Sequence, residues 1–152
     1  MNDTEKKNAI EILNRIMELE LAGVVRYTHY ALMVFGYNRI PIVSWLKSNG
    51  DESLAHAHKA GEFATMLGGH PSLKIGPLLE THKHDIGDIL RESLDQERST
   101  LEAYYELLKL TEGKSVALEE YAREMILLEE MHLDEVNKML RKPGEIAPFN
   151  ED

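Results

Sequence analysis

Apolar residues recur every three to four positions over four long stretches of this chain, a spacing that predicts four amphipathic helices. The predicted helices cover about residues 4–35, 41–67, 85–110 and 116–140. Asp3 or Thr4 can cap the first helix, and Pro41 suits the first turn of the second. Gly50 lies inside the second stretch and weakens a helix there, so we expect a bend or bulge near residues 48–51.

The connection between the second and third predicted helices is long. Residues 70–83 contain two prolines and show no sustained period. Since a helical hairpin needs only a few residues, the second and third helices are predicted to run parallel, joined by a crossover that spans the bundle. The fold class is therefore all-α, with a four-helix bundle over residues 1–143 and a C-terminal tail over 144–152. His82 and His84 end the crossover, and a surface position is favoured over a weak metal site.

Each predicted helix carries a carboxylate on its apolar stripe. The residues are Glu20, then Glu52 with His56, then Glu97, then Glu129 with His132. A buried carboxylate normally protonates, pairs with another group or binds a metal. One Glu from each of two helices and a Glu/His pair from each of the other two is the ligand set of di-iron and di-manganese bundles.

Each of these residues alone has a plainer interpretation. A single Glu-x-x-His arises by chance, Glu20 or Glu97 can pair with Arg15, Arg26 or Arg98, and His56 can be a core histidine. Four coincidences at matched depth favour a metal pair instead. Tyr27 and Tyr104 follow Glu20 and Glu97 by seven residues, so their hydroxyls are candidates for hydrogen bonds to ligand carboxylates, although core packing explains them equally well.

The amino-acid composition limits which metals and partners the chain can bind. The chain has no cysteine, so any metal must be held by histidine and carboxylate, which favours iron, manganese or zinc. Its formal net charge is −10 and no Lys/Arg cluster is present, which disfavours nucleic-acid binding. The start of the chain is polar and no long apolar run follows, so we expect a cytoplasmic protein that does not bind membranes.

Three segments resemble the ferritin-like superfamily, and within it the bacterioferritins most closely. The segment ILNRIMELELAGVVRYTHYAL is similar to their first helix, LRESLDQERSTLEAY to their third and LLEEMHLDEV to their fourth. The resemblance implies a ferritin-like bundle, with Glu20 and Glu97 as terminal carboxylates, His56 and His132 as nitrogen ligands, and Glu129 as a bridge between two iron ions.

Three positions depart from the bacterioferritin pattern. The family's second helix carries Glu-x-x-His-Ala, but Ser53 lies three residues before His56, and Glu52 lies four before it. Glu52 is our candidate for the second bridge. The methionine that holds haem in the family is missing near Leu54, so haem is not expected. The family's short fifth helix has no counterpart in PGEIAPFNED, so we expect a homo-oligomer that is either a dimer or a larger shell such as a dodecamer.

The expected function is a di-iron ferroxidase centre that oxidises Fe(II) with O2 or peroxide, for iron storage or detoxification, in a homo-oligomer. Manganese or zinc could substitute for iron. The alternatives are a non-storage di-iron or di-manganese oxidase or peroxidase, a metal-free structural bundle, and a DNA-protecting protein of the Dps type. The Glu/His pairs within single helices argue against the last of these.

Overall fold

The structure is a computed structural model that describes residues 1–150. Four α-helices account for most of this range: α1 (Asp3–Met33), α2 (Arg39–Met66), α3 (Ile86–Thr111) and α4 (Val116–Leu140). No strand occurs in these residues. The all-α class and the number of helices are therefore as predicted.

Side chains at the helix starts fix where each helix begins. Asn2 caps α1, accepting a hydrogen bond from the backbone of Glu5, whose side chain accepts one from Asn2 in return. Asp3 and Thr4, the expected caps, lie inside the helix. Helix α2 begins at Arg39, two residues before Pro41. Asp85 and Ser115 cap α3 and α4 through their side chains.

Helix α2 is α-helical without interruption through residues 48–51. The bulge expected near Gly50 is therefore not formed, and without it the inward stripe passes through Ser53 instead of Glu52. Ser53 is buried and Glu52 is exposed. A Cβ on Gly23 of α1 would lie 2.9 Å from Ser53 Oγ, so small residues permit a close approach of α1 and α2 at this point.

The core consists of two apolar regions separated by a polar layer. One region includes Leu13, Ala60, Leu107 and Met125. The other consists of two adjoining clusters that share partly buried neighbours, with members on all four helices: Tyr27 and Val34, Leu46, Ile89 and Leu90, and Val136. Along each helix, the acids predicted for the site fall between these regions.

The same registers give the direction of each helix. Helices α2 and α3 both run from the region around Leu46 and Ile89 to the region around Ala60 and Leu107. Helices α1 and α4 run the opposite way. The parallel arrangement of α2 and α3, and the crossover that joins them, are therefore as predicted.

The crossover, residues 67–85, lies against α1 and α3 without secondary structure of its own apart from isolated turns and bends. Its backbone is held by Gly76, which donates to the carbonyl of Glu18 over 2.7 Å, and by Asn14, which bonds to His70 and Ser72. The described part of the predicted tail, residues 144–150, folds back against α4, where the Asn137 side chain bonds to the backbone of Phe149. Residues 151–152 of the predicted tail lie outside the described range.

None of the four helices combines the length and the apolar character needed to cross a membrane.

Candidate metal centre

Five of the predicted site residues converge in the polar layer, and we call them the acid cage: Glu20, His56, Glu97, Glu129 and His132. The tightest group within it is Glu20, His56 and Glu129, each of which offers a ligand atom within 4.8 Å of the others. His56 Nδ1 lies 3.5 Å from Glu20 Oε1 and 3.7 Å from Glu129 Oε1. Three helices therefore contribute one ligand atom each to a single point.

The other side of the cage is formed by Glu97 and His132. The Tyr27 hydroxyl donates to Glu97 Oε1 over 2.8 Å and lies 3.1 Å from His132 Nε2. Trp45 stacks on the His132 ring with centroids 6.1 Å apart. Glu129 connects the two sides, because its Oε1 lies 3.7 Å from His56 Nδ1 on one side, while the charge of Glu97 on the other side raises its pKa.

Arg26 contributes a cation to this second side. Its side chain is buried, and Nη2 lies 3.3 Å from Glu97 Oε1. Of the three arginines considered as partners, Arg15 pairs with Glu106 and Arg98 with Asp95, both at the surface. The sequence named Arg26 only as one of three possible partners and did not distinguish it from the others, since an arginine between apolar residues on a long helix usually extends to solvent.

The two tyrosines cross between helices. Tyr27 lies on α1, the helix of Glu20, but bonds to Glu97 on α3. Tyr104 lies on α3, the helix of Glu97, and donates to Glu20 Oε1 over 3.0 Å. Each hydroxyl thus holds the carboxylate of the opposite helix and fixes its orientation in the cage.

Burial and mutual charge shift the acids in different directions. Burial raises the pKa of Glu20 and, together with the charge of Glu97, raises that of Glu129 well above its usual range. Burial alone would also raise the pKa of Glu97, but a hydrogen bond with Glu129 and the charge of Arg26 lower it. Glu97 therefore ionises most readily of the three acids, and Glu129 retains a proton more readily.

His56 responds to the same carboxylates. Burial disfavours its charged form, but the carboxylates of Glu129 and Glu20, which can accept from the protonated ring, outweigh this and raise the pKa of His56 to about 10. The metal-free cage therefore holds a protonated His56, which must lose its proton before the Nδ1 atom can bind a metal.

A cavity of about 390 Å³ leads from the surface to the cage. Buried and partly buried residues line its floor: Tyr27, Trp45, Asn49, Ser53, His56, Glu97, Glu129 and His132. Exposed residues form its mouth: Ser48, Glu52, Leu128, Met131 and Glu135. Glu52 thus lies at the entrance, outside the tight group around His56, and its role as a ligand stays a prediction.

The cage suits a cation of the first transition series. Glu129 Oε2 is buried and has no hydrogen-bond partner, and an acceptor left in this state requires compensation. Carboxylate oxygens with imidazole nitrogens form donor sets that bind iron, manganese and zinc. The residues present therefore fit a metal ion on the Glu20–His56–Glu129 side.

Comparison with known proteins gives a family match over most of the chain. A family model described as a ferritin-like domain matches residues 10–145. A ferritin-like diiron-carboxylate protein of Bacillus anthracis superposes with a TM-score of 0.86 at 23% identity, covering 93% of this chain and 100% of that one.

Two further structures are similar. A bacterioferritin of Desulfovibrio desulfuricans, described with a diiron site, has a TM-score of 0.77 at 26% identity and covers 92% of this chain and 82% of its own. A bacterioferritin-related protein of Bacteroides fragilis, described as a dodecameric thioferritin, has a TM-score of 0.80 at 22% identity, with coverages of 89% and 85%. No curated protein matches the chain.

Proposed function

Because the chain belongs to the ferritin-like family, we propose that it binds Fe(II) in the acid cage and oxidises it to Fe(III), for iron storage or detoxification. The observation that carries this proposal is the convergence of Glu20, His56 and Glu129 within 4.8 Å, from three helices, at the end of a cavity that reaches the surface. Iron is the substrate. Two Fe(II) ions supply two electrons to O2, which takes up two protons and leaves as hydrogen peroxide.

The chain's own residues favour the oxidised product. Hard carboxylate oxygens stabilise Fe(III) more than Fe(II), so the cage lowers the free energy of the oxidised ion. Tyr104 and Tyr27 hold Glu20 and Glu97 in place, so the carboxylates need little reorganisation when iron binds. His56 gives up its proton to the solvent-connected cavity as its nitrogen becomes a ligand.

The two sides of the cage differ in charge. With all three acids ionised, Glu20, Glu97 and Glu129 carry three negative charges, and Arg26 returns one positive charge. Because Arg26 offsets Glu97, the two uncompensated negative charges are those of Glu20 and Glu129, and they balance the two positive charges of a single Fe(II). A first ion therefore binds on the Glu20–His56–Glu129 side. A second ion, held by Glu97, Glu129 and His132, requires the Arg26 guanidinium to move away from Glu97.

Glu52 is the proposed source of the missing carboxylate. It lies one residue before Ser53, at the cavity mouth, where its side chain is free to turn inward when a second ion arrives. The matched control is Glu62, an exposed glutamate on the same helix that lies away from this cavity. If Glu52→Ala retains the iron content of wild type, as Glu62→Ala should, Glu52 is not a ligand.

The function is tested by anaerobic Fe(II) titration of metal-stripped protein, followed by admission of O2 and measurement of the near-ultraviolet absorbance of Fe(III). The substitution Glu129→Gln removes the acid that connects both sides while conserving its shape. We expect it to abolish saturable binding and fast oxidation. Glu130→Gln alters the neighbouring exposed acid, which accepts a hydrogen bond from Tyr105, and should leave both unchanged.

The titration also separates the alternatives. Saturation at two irons per chain supports a di-iron ferroxidase, and saturation at one means that Arg26 takes the place of the second ion. Binding no stronger in wild type than in Glu129→Gln would sink the proposal. Binding without oxidation would favour a carrier or an enzyme that uses another metal.

A metal-free structural bundle is the second candidate, because the cage partly neutralises itself. Arg26 pairs with Glu97, and protonated His56 lies between Glu20 and Glu129. Elemental analysis of freshly purified protein distinguishes this candidate from a metalloprotein. In either case we propose a homo-oligomer, by analogy with the structural neighbour described as dodecameric.

A further inference from the structure

A second group of metal-ligating side chains lies outside the cage, where the crossover meets α1. His29 comes from α1, and Glu80 and His84 from the end of the crossover; we call these three residues the crossover triad. Each offers a ligand atom within 4.8 Å of the others. His29 and His84 are separated by 55 positions in the chain, so the fold alone brings them together.

Two of the three distances within the triad are close to those around a bound transition-metal ion, and the third, from His29 to Glu80, is that of a hydrogen bond. His29 Nε2 lies 3.4 Å from His84 Nε2 and 2.6 Å from Glu80 Oε2, and His84 Nε2 lies 3.8 Å from Glu80 Oε1. Ligand atoms at ordinary zinc distances in a tetrahedral arrangement are about 3.4 Å apart. Small side-chain rotations therefore suffice for all three atoms to contact one ion.

The backbone that follows Glu80 is held at two positions. Thr81 donates twice to Glu92 Oε2, from its backbone nitrogen over 3.0 Å and from its hydroxyl over 2.8 Å. Glu92 is itself buried and accepts a 2.6 Å hydrogen bond from Tyr30. His82 adopts a φ of 58°, a left-handed conformation that costs free energy in a non-glycine residue, and its backbone nitrogen donates to Glu80. The Glu80 carboxylate is thus positioned in advance.

We propose that the crossover triad binds a divalent transition-metal ion of the zinc class and that this ion fastens the crossover to α1. Two neutral imidazoles and one carboxylate form a three-residue set that leaves a fourth position for water. The triad side chains are 43%, 26% and 23% exposed for His29, Glu80 and His84, so an ion can reach them from solvent. His82, 85% exposed, lies beside the triad and completes it only if its ring turns inward.

The cage also attracts zinc, so the experiment starts from full-length Glu129→Gln protein, in which the cage is disabled. Zn²⁺ is titrated into this protein by isothermal calorimetry, and trypsin cleavage at Lys83, an exposed residue inside the triad segment, is followed in parallel. We expect one equivalent of Zn²⁺ to bind and to slow cleavage at Lys83. Adding His84→Gln or His29→Gln should remove both effects.

His58→Gln is the matched control, because His58 is an exposed histidine on α2 with no part in the triad. It should bind Zn²⁺ as the parent does. Zn²⁺ binding that survives both triad substitutions, or that falls equally in the His58 control, would overturn the proposal. Circular dichroism verifies that each variant retains its helices. Since the cage is already disabled, failure here leaves the iron proposal untouched, and failure of the iron proposal leaves this test valid.

Discussion

The acid cage and the crossover triad use the same chemical groups in opposite surroundings. The cage lies between two apolar regions, and its carboxylates are held by Tyr27, Tyr104 and Arg26. The triad lies at the surface on an irregular segment, with a single fixed carboxylate. Burial makes every unpaired group in the cage costly, whereas water can compensate any group of the triad. The same substitution should therefore have unequal consequences in the two places.

The largest expected effect on the metal-free protein is that of Arg26→Met. It removes the cation from a buried pair and leaves the Glu97 carboxylate without a neighbouring arginine, which costs about 3–5 kcal/mol of unfolding free energy. Urea unfolding of metal-stripped protein measures this loss. A bound divalent cation should recover much of it, because the ion supplies the charge that Arg26 provided.

The control for Arg26 is Arg15→Met. Arg15 and Glu106 form an ion pair whose side chains are about half exposed, so its loss should change stability by no more than about 1 kcal/mol. Two results would contradict this interpretation: an equal loss of unfolding free energy for both arginine substitutions, or a loss in Arg26→Met that metal does not reduce. Either would mean that buried charge does not determine the stability of the cage.

Most residues of the cage could be predicted from the sequence, whereas the triad could not. Glu20, Glu97 and Glu129 interrupt apolar stripes, and an acid in such a stripe is visible at helical spacing. The direction of α2 and α3 followed from the length of their connection. The triad has no such pattern: His29 lies on a mostly polar turn of α1 and Glu80 in an irregular segment, so only the folded chain shows their proximity.

Position 52 shows where periodicity reaches its limit. Adjacent residues on a helix differ by about 100° in direction, so a one-residue change of register decides which of Glu52 and Ser53 faces the core. The absence of a bulge near Gly50 and the close approach of Gly23 to Ser53 settle this in favour of Ser53. Neither feature can be derived from the spacing of apolar residues, because both depend on contact between helices.

An intermediate effect is expected for Tyr27→Phe. The substitution removes the hydroxyl that donates to Glu97 and contacts His132 and Ser93. A hydrogen bond to a charged acceptor contributes about 1.5–3 kcal/mol, so metal-free protein should lose that much stability. Tyr104→Phe, which removes a single bond to Glu20, should cost no more. Chemical denaturation checks the order, and a larger loss for Tyr104→Phe would contradict the importance of the His132 side.

The smallest effect is expected for Thr81→Val, which tests whether the triad is positioned in advance. Valine conserves the shape of threonine but loses the hydroxyl bond to Glu92, while the backbone bond from the same residue remains. Glu80 should become less well placed, and the affinity of the triad for Zn²⁺ in Glu129→Gln protein should fall by about tenfold, as for other outer contacts of metal ligands. Thr65→Val, at an exposed threonine near the end of α2, is the control for the loss of a hydroxyl. Unchanged affinity in Thr81→Val would mean that the ion itself orders Glu80, and the triad would then differ from the cage in the origin of its geometry as well as in its burial.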